Sequence, residues 1–299
     1  MDIRSARRDG IAKLSSSPTP ALDTDVILEH ITGHSKSYFL THGDTELTMQ
    51  QAAELDSAVA LRQTGFPVAY ITGHKEFYGI DFLVTKDVLI PKPDTELMVE
   101  HALEWIRQNT APAQGGAVRI ADVCTGSGCI GLSVVHELRV PAFLTLTDIS
   151  AAALGVAERN APRVLSPEQL QRISVLQGDL LNAVPAEMQF DVILSNPPYV
   201  PADEVTDLLR DGRCEPRLAL DGDTDTAAET AGSRDGLAII RRLIPQAFRH
   251  LTDTGIFMLE TGEYNAEGAA SIMEKAGFTQ VTTYRDLAGQ LRLTTGRKR

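Results

Sequence analysis

The sequence predicts an α/β protein: a mostly parallel, doubly wound sheet of seven strands over residues 96–299, preceded by a small helical bundle over residues 1–73. Three observations carry that prediction. From about residue 96, strand-like aliphatic runs alternate with helical stretches, the order that calls for crossovers between parallel strands. A glycine-containing break follows the first of these runs, where such sheets meet their ligands. The first 73 residues instead place apolar side chains at helical spacing.

In the N-terminal region Ile11 and Leu14, then Val26, Ile27, Leu28 and Ile31, recur on helical faces. Asp23 or Thr24 suits the cap of the second helix, and Thr48 with Gln51 reads as a capping box before Ala52, Leu55 and Val59. The pattern alone leaves this bundle open as a structural appendage or a docking module. Residues 74–95 read as a hairpin linker between domains, with strands at Phe77–Val84 and Val88–Ile90, a turn near Thr85-Lys86-Asp87, and a stiff exit at Pro91-Lys92-Pro93.

A helix over Thr95–Asn109 then leads to a break at Gln114-Gly115-Gly116. Strands follow at Val118–Val123, Phe143–Asp148, Ile173–Gln177 and Phe190–Ser195, with helices from Ile130 and from Ser150 to Asn160 between them. A long amphipathic helix (Gly236–Leu251), a strand (Gly255–Leu259) and a helix (Ala266–Ala276) come next. Two last strands, Thr279–Tyr284 and Leu291–Thr295, are close enough to form an antiparallel edge. Residues 221–235, rich in Asp, Thr, Ala and Gly, read as a flexible surface loop.

Composition narrows the function. Of 299 residues, 43% are hydrophobic and 23% charged, as in water-soluble globular chains. The apolar runs are too short to span a bilayer, and no secretory signal is apparent. A formal net charge of −12 argues against a broad basic face for nucleic acid and for a protein or small-molecule substrate. Cys124, Cys129 and Cys214 form neither a disulfide framework nor a zinc spacing, which fits a reducing, cytoplasmic setting. His30 and His34 lack a third ligand, so no metal is expected.

Three constellations carry chemistry. Asp122-Val123-Cys124-Thr125-Gly126-Ser127-Gly128 lies between a strand and its helix, where glycine lets backbone approach a ligand and the helix start offers free N–H groups. Asp148 ends the next strand, where a carboxylate can accept both hydroxyls of a ribose. The same residue would also serve as a helix N-terminal charge. Loop and acid together point to an adenosine-type ligand. Asp179 would accept from the exocyclic amine of its base, and Leu180 would pack on the ring.

The third constellation, Asn196-Pro197-Pro198-Tyr199, ends a strand with residues that cannot continue a sheet. It suits a planar, nitrogen-bearing group. An amide nitrogen is a poor nucleophile because its lone pair is delocalised. The Asn196 side-chain oxygen and the Pro197 carbonyl would accept its two hydrogens and favour the positive charge that develops on alkylation. The Tyr199 ring would stack on the plane and hold it in line with a donor methyl.

Together these residues resemble the class I S-adenosylmethionine-dependent methyltransferases that act on planar nitrogens. Further segments narrow the resemblance: Pro67–Gly73, Glu76-Phe77-Tyr78-Gly79, Leu89–Glu96 and Glu215–Leu220 are similar to the PrmC/HemK family of peptide-chain release factor glutamine N5-methyltransferases. The resemblance covers nearly the whole chain. It implies a class I methyltransferase-like (Rossmann-like) fold, S-adenosyl-L-methionine as cofactor, and the glutamine of the Gly-Gly-Gln motif in release factors as substrate. It also implies that the N-terminal helices help dock the substrate protein. By matching position, Cys124, Thr125, Gly126, Ser127, Gly128, Asp148, Asp179, Leu180 and Asn196 would contact the cofactor. Asn196, Pro197, Pro198 and Tyr199 would hold the glutamine.

Two positions depart from the family. Cys124 replaces the first glycine of the loop, and Leu180 stands where relatives often carry an aromatic; neither change removes a catalytic group. Alternatives from other classes are a glutamine methyltransferase of a ribosomal protein, a DNA adenine N6-methyltransferase, and a nucleoside-binding scaffold without turnover. The DNA enzyme needs base flipping and a basic groove.

Overall fold

The computed structural model describes residues 1–109, 116–210, 214–224 and 234–299. The sequence-predicted glycine break at Gln114-Gly115 and most of the 221–235 loop lie outside the described residues. Two compact units are present, one built on Met1–His74 and the other on Lys75–Asp207 with Glu215–Arg299.

The first unit holds α1 (Ile3–Lys13), α2 (Pro20–Thr32), α3 (Lys36–Thr41), α4 (Met49–Gln63) and α5 (Val68–Thr72). Ile3, Leu14, Ile27, Leu28, Phe39, Leu55 and Val59 meet in one apolar core. The capping box at Thr48 and Gln51 forms as expected. The cap of α2 does not. Thr19 takes that place with Pro20 at the first helical position, and Asp23 is buried within the helix. There Asp23 accepts hydrogen bonds from Ser17, Thr19 and Arg62 at 2.7, 2.8 and 2.7 Å. A buried carboxylate with this many donors is an ion-pair anchor between helices, a role that local spacing does not reveal.

The second unit begins with a hairpin, β1 (His74–Phe77) and β2 (Ile80–Leu83). The hairpin reverses at Tyr78-Gly79. Both turn residues have positive φ, 53° and 72°, so a continuous apolar run is folded back on itself. The expected turn at Thr85–Asp87 also forms, closed by Val88 N–H donating to Thr85 C=O at 3.1 Å, but it leads into irregular chain rather than a second strand. Val88–Ile90, expected as a strand, is irregular and contributes Val88 and Leu89 to the wall of a cleft.

After a 3-10 turn at Pro93–Thr95 come α6 (Glu96–Asn109), β3 (Val118–Val123), α7 (Cys129–Glu137), β4 (Ala142–Asp148), α8 (Ala151–Val164), α9 (Pro167–Leu170) and β5 (Ile173–Gln177). They are followed by β6 (Phe190–Ser195), α10 (Ala202–Arg210), α11 (Ala238–His250), β7 (Leu251–Glu260), α12 (Ala266–Lys275), β8 (Thr279–Arg285) and β9 (Leu291–Arg297).

Seven strands form one sheet in the order β5-β4-β3-β6-β7-β9-β8. The first five are parallel neighbours, and β9 runs antiparallel between β7 and β8. The expected mostly parallel sheet with an antiparallel edge is present. One face packs Ile120, Leu132, Leu144 and Trp105; the other packs Val123, Phe190, Leu243 and Phe257. The chain runs outward from β3 through β4 to β5, then returns to β6 on the other side of β3. This reversal is the switch point at which open α/β sheets bind ligands. Register fixes its position: Val123 pairs with both Thr147 and Ser195, and Asp148 with Gln177. The carboxyl ends of four strands therefore stop at one level.

Candidate functional site

A cleft of about 250 Å³ opens at that level. Its wall includes Cys124, Thr125, Gly126 and Ser127 after β3, Asp148 after β4, Asp179 and Leu180 after β5, and Asn196 and Pro198 after β6. The sequence-predicted residues thus converge, although three are not in the wall. Gly128 begins α7 in the left-handed conformation, with its position crowded by Leu132. Pro197 is buried, and the Tyr199 hydroxyl meets Glu260 at 3.4 Å.

The loop after β3 is held from below by Asp122, which is 0% exposed. Its Oδ2 accepts from the Thr125 hydroxyl at 2.7 Å and from the Gly131 N–H at 3.0 Å. Burial pushes this carboxyl up to about 6, against the pull of those two donors. At Gly126, φ is +54° and nothing stands within 4 Å of where a Cβ would be, so the loop bares backbone to the cleft. Cys124 also has positive φ, 59°, which explains why a glycine suits this position. Its side chain packs beside the apolar cluster of Val123 and Leu180 while still bordering the cleft. Burial pushes the Cys124 thiol well up, and the Cys129 thiol up to about 12, so neither is a thiolate nucleophile.

Asp148 is oriented by backbone. Its Oδ2 accepts from Gly126 N–H at 3.0 Å and its Oδ1 from Ser150 N–H at 2.9 Å. Each oxygen keeps lone pairs for a further donor. Burial raises this carboxyl, opposed by the N–H groups of Ser150, Gly126 and Ile149. Leu180, itself at φ 57°, forms an apolar wall with Ile149 and Ile239. Asp179 is engaged through Oδ2 by Arg242, which borders the same space.

At the other end, the Asn196 side-chain nitrogen donates to the Thr95 hydroxyl at 3.2 Å. The Tyr199 carbonyl accepts from Asn265 Nδ2 at 2.9 Å and from the Tyr264 hydroxyl at 3.4 Å. A Cβ at Gly236 would lie 2.1 Å from that carbonyl oxygen, and Gly236 has φ +73°, so only glycine lets its backbone pass so close to the ledge. Val200 exchanges backbone bonds of 2.9 Å with Leu220 and Gly222, which fixes the far side.

Residues 5–73 match the PrmC N-terminal domain, and residues 103–211 match the methyltransferase small domain. A release factor glutamine methyltransferase from Bordetella pertussis is 39% identical over 93% of this chain and 94% of its own length. One from Escherichia coli strain K12 is 34% identical over 99% of both chains. The chain belongs to the release factor glutamine methyltransferase family. Among solved structures, the N-terminal domain of human METTL16 in complex with SAH superposes with a TM-score of 0.52 at 15% identity, covering 97% of this chain and 94% of that one. At that identity it speaks for the class I methyltransferase fold alone.

Several residues that shape this methyltransferase site escape a reading of the sequence. Glu215 is buried and accepts from Lys92 Nζ at 2.7 Å and from Ile90 N–H at 3.4 Å. It thereby joins two of the family-like segments. Asn160, 0% exposed, bonds Leu83 at both N–H and C=O and donates to Ser127 C=O at 2.9 Å, tying the β1–β2 hairpin to the loop. Thr95, Glu260 and Arg292 lie under the Asn-Pro-Pro-Tyr ledge. The only sequence signals for these were the family-like segments around Thr95 and Glu215; Asn160, Glu260 and Arg292 sit in ordinary helix and strand contexts. Among the described residues no helix is long and apolar enough to cross a membrane, and no cluster of three or more potential metal ligands occurs.

Proposed function

We propose that the protein transfers a methyl group from S-adenosyl-L-methionine to the side-chain amide nitrogen (N5) of the glutamine in the Gly-Gly-Gln motif of peptide-chain release factors. The observation that carries this reading is the polarity of Asn196. Its nitrogen is committed to Thr95, so its oxygen remains as the acceptor beside the cleft. An acceptor at that place selects a substrate that donates N–H bonds, as a primary amide does.

The cleft residues fit the cofactor. Asp148 retains lone pairs for two ribose hydroxyls, Leu180 and Ile239 provide apolar faces for a base, and Gly126 leaves room at the loop. Cys124, Thr125, Ser127 and Gly128 complete the loop around it, and Asp179 borders the base end. When bound, S-adenosyl-L-methionine would supply an electrophilic methyl on a sulfonium, whose S–CH3 bond would break as the N–C bond forms and leave the neutral thioether S-adenosylhomocysteine. The chain's own residues orient the acceptor: Asn196 Oδ1 and the Pro197 carbonyl accept the two amide hydrogens, and Pro198 and Tyr199 frame the amide plane. These acceptors stabilise the positive charge that builds on nitrogen as the new N–C bond forms. The proton leaves afterwards to solvent, so no strong base is needed.

The N-terminal helical domain, 1–73, is assigned to docking of the release factor, with 74–95 as linker and 96–299 as the catalytic domain. The reaction belongs to translation termination in the cytoplasm. Peptide mapping by mass spectrometry, after incubation of a purified release factor with enzyme and cofactor, tests the reading. One added methyl on the Gly-Gly-Gln glutamine is expected. An unmodified glutamine, or methylation only of a ribosomal protein or an adenine oligonucleotide run in parallel, would refute it.

A further inference from the structure

The turn after β5 is gripped by one face of α11. Gln246, buried on that helix, accepts from the Leu181 N–H at 3.0 Å. Arg242, one turn earlier on the same face, pairs through Nη2 with Asp179 Oδ2. Ile239, a further turn back, shares the wall of the cleft with Arg242, Asp179 and Leu180. The Gly178 N–H donates to the Asp148 carbonyl at 3.0 Å and fixes the start of the turn. Between these anchors Leu180 holds φ 57°, a conformation that persists in a side-chain-bearing residue where the surroundings impose it.

The side chains of Asp179 and Arg242 are 31% and 28% exposed. An ion pair so placed adds little to stability. Its consequence is orientation. A lone aspartate at this position would be free to turn its carboxylate to solvent. With Oδ2 engaged by a guanidinium, the carboxylate is held at the cleft wall, and Oδ1 keeps its lone pairs for another donor.

We propose that Arg242, acting through Asp179, makes this end of the cleft select a base that carries an exocyclic amine. The proposal rests on the cofactor reading given above. An amine donates to the open carboxylate oxygen, whereas a keto oxygen in its place sets acceptor against acceptor. Arg242 is a positioning residue, since its guanidinium is engaged with Asp179 and acts on the base through it. The Asn-Pro-Pro-Tyr ledge stands at the other end of the cleft. Loss of Arg242 therefore acts on binding and on base selection.

The test is calorimetric binding of S-adenosylhomocysteine and of its 6-oxo analogue, S-inosylhomocysteine, to full-length wild type, Arg242→Met, Asp179→Ala and the double variant. Met keeps an unbranched apolar stem, so a change in packing acts on both ligands and cancels in the ratio of their affinities. Wild type is expected to prefer the amine-bearing ligand roughly 10- to 100-fold, the range of a hydrogen bond to a charged group. Arg242→Met and Asp179→Ala should each bring that ratio below about threefold. The double variant should match Asp179→Ala within about twofold for both ligands, because the two residues act as one unit. An Arg242→Met protein that keeps the wild-type ratio, or a wild type without preference between the ligands, would overturn the proposal. A double variant that loses about a further tenfold relative to Asp179→Ala would overturn it too, since Arg242 would then act on the ligand independently of Asp179. Should Arg242→Met not fold, Arg242→Gln is read by the same criteria. A wild type that binds neither ligand removes the cofactor reading and this proposal together. An unchanged ratio in Arg242→Met leaves the cofactor reading standing.

Discussion

The two ends of the cleft are built differently. At the loop end, the bonds made by the two loop carboxylates are short in sequence: Thr125 to Asp122 spans 3 residues, Gly131 to Asp122 spans 9, and Gly126 to Asp148 spans 22, while Asn160 reaches further, 33 residues to Ser127 and 77 to Leu83. Most run through backbone N–H groups. At the ledge, Asn196 reaches Thr95 across 101 residues, Tyr199 reaches Glu260 across 61, and Asn265 reaches Tyr199 across 66. These bonds draw on side chains from separate elements, with Thr95, Glu260 and Asn265 buried and Asn196 and Tyr199 half-buried. Local backbone geometry makes a binding site for a fixed cofactor. A long-range polar network orients a reacting group, because its members are held by elements that the rest of the fold fixes.

If that contrast is right, damage at the ledge should cost rate and damage at the loop should cost affinity. The largest effect is expected for Asn196→Ala. Single-turnover transfer to a release factor should fall roughly 100-fold, as when one transition-state contact is lost. Near-normal turnover would remove Asn196 from the chemistry.

Asn160→Ala probes what connects the loop to the hairpin. It strips partners from three backbone groups, the N–H and C=O of half-buried Leu83 and the C=O of buried Ser127. Urea unfolding should show a loss of about 2 kcal/mol. A loss under about 0.5 kcal/mol would mean that this tie carries no strain-free load.

Asp148→Ala is expected to weaken S-adenosylhomocysteine binding roughly tenfold by calorimetry, through lost charged hydrogen bonds. Unchanged affinity would leave Asp148 as a helix-start charge only.

The smallest effect is expected at Cys124. Replacement by Gly relieves a left-handed conformation that costs a side-chain-bearing residue about 1–2 kcal/mol, yet gives up apolar contact beside Val123 and Leu180. Thermal stability and cofactor affinity should stay close to wild type, the latter within about twofold. A large gain in affinity would show that the thiol narrows the cleft.

The same contrast explains what could be read from the chain. The sheet is readable because β3, β4 and β6 are short runs rich in apolar residues whose ends carry the loop, Asp148 and the ledge. The hairpin turn was misplaced because Phe77–Val84 has the apolar content of one strand. Only the backbone conformation at Tyr78-Gly79 shows the reversal. The cap of α2 was misplaced because Asp23, a good capping residue, is spent on Arg62 instead. Glu260 follows an apolar strand and resembles any strand-ending acid. Nothing within twenty residues of it in sequence announces Thr95 or Asn196. Asn160 looks like a helix-end polar residue until the hairpin and loop close on it.

The division between affinity and rate is tested most directly by one measurement: the single-turnover rate of release factor methylation as a function of S-adenosyl-L-methionine concentration, for Asp148→Ala beside Asn196→Ala. The Asp148→Ala curve should shift to higher cofactor concentration and still approach the wild-type plateau, while Asn196→Ala should saturate near the wild-type midpoint at a far lower plateau. A low plateau for Asp148→Ala, or a mere shift of midpoint for Asn196→Ala, would contradict it.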